Sequence, residues 1–312
     1  MTMNAFKRIF TLTLLLFTVT LVYTRNVRAA ENFTMTEVAD AVYVVKGPAG
    51  NTLVAAAPDG LILIDGVPAE FATEYLGFVR EETGVEAIRT LVVSHWHSEV
   101  NGLNAILGPQ GVEIIAHDNT RQWLGATIRE RGETVLHTPV PDNQLPNRTF
   151  YWEPLVIPFG DDTIEVGYLL QAHTDGDVYA WIRGADILYT GPAIRTDSWA
   201  TVDETTNGFI GGITDAYDTL GRIVSADTRI VPASGAVIGQ AEFAGLEALY
   251  KGLKDDMVAL LRQSKSPDEV IIANPAQGLK PEWGDPTAFL DEGFRSFYGH
   301  LRNGRQIGGG FP

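Results

Sequence analysis

The chain has 312 residues, 45% hydrophobic and 20% charged, with 39 acidic against 23 basic residues and no cysteine. That composition is globular and fits one large domain or two small ones. A net charge of −16 sets the surface against nucleic acid and anionic lipid, and the lack of cysteine excludes disulfides, thiolate nucleophiles and thiolate metal ligands.

The first stretch reads as a secretory signal peptide. Lys7 and Arg8 precede the apolar run Ile9–Tyr23, and Val27-Arg28-Ala29 offers small residues for cleavage. The run is short for a membrane span. Residues 1–29 are therefore expected to be removed, leaving a mature chain from about Ala30 in the periplasm or outside the cell. If uncleaved, this segment would be the chain's only membrane contact.

Ala41–Lys46, Thr52–Ala57 and Leu61–Asp65 read as strands, the last two joined by the turn Pro58-Asp59-Gly60. Phe71, Tyr75, Phe78 and Val79 give Phe71–Glu82 a helical period. Val85–Val93 runs into a polar loop, Leu103–Leu107 suggests a short helix, Val112–Ala116 a strand, and Asn119–Arg131 a helix capped by Asn119. Glu133–Arg148, rich in proline and polar residues, reads as a long loop of the kind that binds ligands. Strands are expected again at Trp152–Ile157, Thr163–Gln171, Val178–Ile182 and Ile187–Thr190. Helices are expected at Gly208–Val224, Ala241–Gln263, Pro267–Ala273 and Pro286–Leu301, before a loose Gly-rich tail, Gly304–Pro312. Two strand-rich halves of this kind can pack as two sheets with helices outside.

The chemistry concentrates in Leu91–Gly102. The apolar strand end Leu91-Val92-Val93 runs into Ser94-His95-Trp96-His97-Ser98-Glu99. On a loop leaving a strand, residues two apart can aim to one side, so His95 and His97 can share a cation, and neutral imidazole is a good ligand for zinc and its neighbours. Glu99 adds a carboxylate two residues on. A third histidine, His173, stands between two strands of the second half in His173-Thr174-Asp175-Gly176-Asp177, as a three-imidazole site requires.

Four stretches in order resemble the metallo-β-lactamase superfamily. Gly50-Asn51 with Pro58–Asp65 resembles its opening hairpin, and Ser94–Gly102 its H-x-H-x-D-H loop. His173–Asp177 resembles its H-T-x-G-D segment, and Leu188-Tyr189-Thr190-Gly191 the run before its bridging aspartate. The resemblance covers about residues 33–240. It implies an αβ/βα sandwich of two mixed sheets with outer helices and a metal site at one edge. Residues 30–240 would form that domain and residues 241–312 a helical extension packed on it.

The departures narrow the chemistry. Glu99 stands where the family has aspartate, Val100 where many members have a second-site histidine, Pro192 at the bridging aspartate, and Ser234 at the last histidine, in Pro232-Ala233-Ser234-Gly235. The first metal site is whole in His95, His97 and His173, and the second has lost nearly every ligand. One zinc per chain is expected, with iron the less suited metal. The expected activity is hydrolysis of a small-molecule ester, lactone, thioester or amide by hydroxide formed at the metal, with Glu99 orienting or deprotonating the water. β-Lactam hydrolysis is one version of it. Asp65, Trp96, Asp175, Asp177 and Ser234 are candidates for supporting the ligands or touching substrate. The alternative is a non-catalytic or small-molecule-binding relative whose metal site has decayed.

Overall fold

In the computed structural model, which describes residues 32–130 and 134–306, β1 (Thr34–Ala39), β2 (Val42–Gly47), β3 (Gly50–Ala57) and β4 (Gly60–Ile64) form an antiparallel meander. Helix α1 (Ala72–Thr83) then carries the chain to β5 (Ile88–Val92), parallel to β4. The short helices α2 (Ser98–Asn101) and α3 (Asn104–Leu107) lead to β6 (Glu113–His117), also parallel. After α4 (Asp118–Leu124) comes a hairpin of β7 (Ile128–Glu130) and β8 (Thr134–His137). Strand β9 (Arg148–Phe150) then pairs with β6 and completes a 7-stranded sheet.

The second sheet begins as a meander of β10 (Leu155–Phe159), β11 (Asp162–Leu169), β12 (Asp177–Ile182) and β13 (Ile187–Tyr189). Helix α5 (Ile210–Gly221) crosses over to β14 (Arg229–Val231), parallel to β13. Helices α6 (Gln240–Arg262), α7 (Pro267–Ala273) and α8 (Thr287–Gln306) follow. No helix among the described residues is long and apolar enough to cross a membrane.

The two-residue period of the strands sorts side chains into layers. On β4, Leu61 and Leu63 turn outward to Tyr75, Leu76 and Val79 of α1, while Ile62 and Ile64 turn inward to the other sheet. On β12, Val178, Ala180 and Ile182 meet them from the far side. Tyr179 faces the outer helices, where α6 supplies Phe243, Leu246, Tyr250, Leu253 and Met257, and α8 supplies Phe289, Leu290, Phe294 and Phe297. The layers therefore run helix, sheet, sheet, helix, the αβ/βα sandwich. Both faces of the central strands are buried, so truncating Leu63 to alanine would cost about 2–5 kcal/mol.

Several elements differ from the reading by pattern. The helix expected over Asn119–Arg131 stops at Leu124, and its cap is His117, whose Nδ1 accepts from the Asn119 N–H at 3.1 Å. The Asn119 side chain instead donates to the Asp175 carbonyl at 2.7 Å. The long loop expected from Glu133 contains β8, which pairs with β7. β1, β9 and β14 went unread; β9 and β14 have three residues each, too few to show a period. The expected signal peptide and the last six residues of the tail lie outside the described residues, whereas residues 304–306 end α8.

Candidate metal centre

Strand ends at one sandwich edge bring the distant histidines together. β5 continues through Val93 and Ser94 into His95, and His97 sits in extended backbone just before α2. His173 lies in the turn from β11 to β12. The Val178 N–H donates to the Ser94 carbonyl at 3.0 Å, tying β12 to the histidine loop. Gly208 lets the following segment close on this turn: a Cβ there would lie 2.0 Å from the His173 carbonyl oxygen.

The three imidazoles surround one point. Ring centroids lie 5.0 Å (His95–His97), 5.0 Å (His95–His173) and 4.7 Å (His97–His173) apart, with planes 88°, 82° and 70° to one another. His97 Nδ1 is 2.8 Å from His173 Nε2. Glu99 Oε1 is 3.3 Å from His95 Nε2 and 3.7 Å from His97 Nδ1. One ligand atom from each of these four side chains lies within 4.8 Å of all the others.

Each ring has a partner on its outer nitrogen. His97 Nε2 is 3.0 Å from the Asp203 carboxylate, and His173 Nδ1 is 3.0 Å from both the carbonyl and the hydroxyl of Thr201. The Asp203 carboxylate has no proton to give, so His97 Nε2 is the N–H. His95 Nδ1 is 3.0 Å from Ser94 Oγ, whose hydroxyl donates to Asp65 Oδ2 at 2.6 Å, so His95 also donates outward. With the outer nitrogens so engaged, the three inner nitrogens face one another and can turn lone pairs to a shared cation. The donor set fits a divalent first-row metal, and such outward partners hold and polarise metal-bound histidines.

The electrostatics differ from ring to ring. Burial and the neighbouring His97 and His95 rings push His173 down to about 3, keeping it neutral. Burial alone would raise Glu99, but the hydrogen bond and charge of His95 outweigh it and hold the carboxyl well below its usual range. Burial would likewise lower His95, and Glu99 reverses that; positive charge is favoured at its inner nitrogen. Asp203 is held down to about 2, its burial overcome by hydrogen bonds from His97 and Thr206.

The other residues marked in the sequence take different places. Asp65, in the left-handed region at φ 62°, is buried beneath His95 and also accepts from Ser94 N at 2.6 Å and Tyr189 OH at 2.7 Å. Asp177, fully buried, braces the His173 turn, accepting from the backbone of His173 and Thr174 at 2.5 and 2.9 Å; burial raises its carboxyl to about 7. Asp175 is engaged by Trp123 Nε1 at 2.6 Å and Asn207 Nδ2 at 2.7 Å. Trp96 packs on His97 and donates to Thr206 Oγ1 at 3.0 Å. Ser234 does not join the histidines; its hydroxyl donates to Asp197 at 2.7 Å. Elsewhere His117 stacks on Tyr168, His137 packs on Trp96, and His300 stacks on Phe209.

Pattern reading missed Asp203, Thr201, Tyr189 and Arg195. A small pocket beside the imidazoles is lined by His95, Glu99, His173, Val100, Pro192 and Arg195. Val100 and Pro192 offer no side-chain ligand atom, and Arg195 brings a cation.

Comparison with known proteins agrees with this architecture. Residues 45–235 match the family model described as the metallo-beta-lactamase superfamily. Similar solved structures include a metallo-beta-lactamase from Pontibacter korlensis, 17% identical with TM-score 0.55 over 70% of this chain and 99% of that one. Another is the DIM-1 metallo-beta-lactamase, 17% identical with TM-score 0.55 over 70% and 97%. A third is the metallo-beta-lactamase IND-7, 14% identical with TM-score 0.56 over 71% and 99%. At these identities the likeness is one of fold. A search of curated proteins returns no match. With more than half of its length in the family model, and with the sandwich and edge site just described, the chain belongs to the metallo-β-lactamase superfamily.

Proposed function

We propose that this protein is a hydrolase using one divalent metal ion, in the periplasm or outside the cell, and that it cuts a carbonyl-type bond in an ester, lactone, thioester or amide. The observation that carries the reading is the convergence of one ligand atom each from His95, His97, His173 and Glu99 to within 4.8 Å of one another, with the outer nitrogens of the rings engaged by fixed partners. Three imidazoles with room for a further ligand suit zinc. A bound zinc ion acidifies water to a pKa of about 7 and polarises an acyl oxygen.

The chain's own residues do the rest. Asp203, Thr201 and Ser94 keep the rings in one orientation. Glu99, ionised and with its side chain 43% exposed, stands where it can take a proton from an attacking water and return it to the leaving group. Arg195, which lines the same pocket, offers positive charge to an anionic group of the substrate. Val100 and Pro192 favour a single ion. The β-lactam amide, suggested by the names of the solved neighbours, belongs to this substrate class.

The test is turnover of a panel by zinc-loaded protein: a nitrophenyl ester, a lactone, an acyl thioester and a chromogenic β-lactam. Chelator-sensitive hydrolysis of at least one, abolished in His97→Ala, supports the reading. Zinc-loaded protein that cuts none favours the binding relative instead.

A further inference from the structure

Residues 199–203 lie outside every helix and strand, yet they carry two of the groups that hold the imidazoles. The carbonyl and the hydroxyl of Thr201 are each 3.0 Å from His173 Nδ1, and the Asp203 carboxylate is 3.0 Å from His97 Nε2. The Asp203 N–H also donates to the His173 carbonyl at 2.8 Å. A segment with no ladder of its own needs partners for its remaining backbone groups, above all where it is buried. Ala200 and Val202 are both buried.

Those partners come from the helical extension. The Ala200 N–H donates to the Tyr250 hydroxyl of α6 at 2.9 Å, and the Val202 N–H donates to Glu292 Oε2 of α8 at 3.2 Å. Successive residues of an extended segment turn their backbone groups to opposite edges. The N–H groups of Ala200 and Val202 take one edge, toward the extension. The Thr201 carbonyl and the Asp203 N–H take the other, toward His173. Burial, and then the carboxylates of Asp203, Asp291 and Glu204, raise the Glu292 carboxyl above its ordinary range, and the Val202 N–H works against that rise.

Side chains reinforce the grip. Trp199 Nε1 donates to the Gly284 carbonyl and Trp283 Nε1 to the Thr196 carbonyl, both at 3.1 Å. Trp199 stacks on Phe289 with ring centroids 5.5 Å apart, and Phe289 packs edge-on against Tyr250 at 5.7 Å. Tyr250, Trp283, Gly284, Phe289 and Glu292 all lie beyond residues 45–235 matched by the family. The segment that steadies two imidazoles is therefore itself steadied by the chain's own addition to the fold.

We propose that Tyr250 is a positioning residue for the metal centre, acting through the Ala200–Asp203 backbone on His173 and His97. The inference rests on the metal-binding part of the proposed function and is independent of which bond is cut. Tyr250 stands out because the N–H it accepts adjoins Thr201 directly. Phenylalanine there would keep the ring against Tyr217 and Phe289 but leave the Ala200 N–H buried without an acceptor. To recover a partner the segment must shift, and the Thr201 carbonyl and Asp203 shift with it.

The experiment measures zinc affinity by competition against a chromogenic chelator for wild type, Tyr250→Phe and Leu253→Ala, beside thermal melts of the metal-free proteins. Leu253 is buried on the same helix and in the same core but has no hydrogen-bonding side chain, so its truncation loosens the extension without releasing Ala200. Tyr250→Phe is expected to hold zinc about tenfold more weakly, the lower end of what loss of an outer partner costs a metal site. Leu253→Ala is expected to melt lower yet bind zinc like wild type. Wild-type affinity in Tyr250→Phe, or equal losses of affinity in the two variants, overturns the inference and leaves the hydrolase reading standing. A wild type that binds no zinc overturns both.

Discussion

His97 Nδ1 and His173 Nε2 lie 2.8 Å apart, although the two residues are 76 positions apart in the chain. Their outer nitrogens are engaged by Asp203 and Thr201, so the two inner nitrogens are aimed at one point. The fold holds them there through the Ser94–Val178 backbone bond and through Asp177 under the His173 turn. A cation entering there can be shared by both rings.

Asp203 is expected to govern how tightly that cation is held. It fixes His97 through Nε2 and is itself set by Thr206 Oγ1, which donates to it at 2.6 Å. Losing such a partner typically weakens metal binding by roughly 10- to 100-fold. Asp203→Ala should therefore lose affinity in that range, and Asp203→Asn, which keeps an acceptor oxygen, should lose less. Competition against a chromogenic chelator measures both; wild-type affinity in Asp203→Ala would remove the residue from this role.

Glu99 is expected to act on rate rather than on metal content. Its carboxylate borders the inner nitrogens yet is partly exposed, as a proton-transfer group at the mouth of a site must be. Glu99→Gln should lower turnover by roughly 10²- to 10⁴-fold while keeping its zinc, measured by steady-state kinetics alongside metal analysis. Loss of zinc would make it a ligand instead, and an unchanged rate would exclude it from the chemistry.

Glu292 is expected to cost the protein stability. Its folded carboxyl is raised above the unfolded value near 4.5. The folded state is thus relatively favoured below that pH and loses the advantage as pH rises through the folded value. Glu292→Gln removes the penalty, so it should melt higher than wild type at pH 7, with the gap closing below pH 4.5. Parallel thermal melts across that range check it; a variant less stable at pH 7 would contradict it.

The central strands were legible because periodicity carries them, and the three histidines because the spacing of His95 and His97 and the family resemblance of the His173 segment carry them. β3 and β4 are continuous apolar runs, and His95 and His97 close the apolar end of β5. Asp203 was illegible for a physical reason. Its role is made by a loop that folds back onto the His173 carbonyl, which accepts from Asp203 N at 2.8 Å, and by the clearance at Gly208, neither of which leaves a local pattern. Arg195 follows the short turn after β13, where no repeat predicts direction. The β7–β8 hairpin escaped because β8 exposes Val135 and Leu136, reversing the burial expected of apolar residues. His117 supplied the α4 cap through an imidazole, where Asn119 had the better capping side chain by type.

The most direct measurement is the metal content of the purified protein, wild type beside His97→Ala, after dialysis against a weak chelator. Close to one zinc per chain in the wild type and none in the variant is the expected result. No bound metal in the wild type would contradict the account, since the converging imidazoles would then hold no cation.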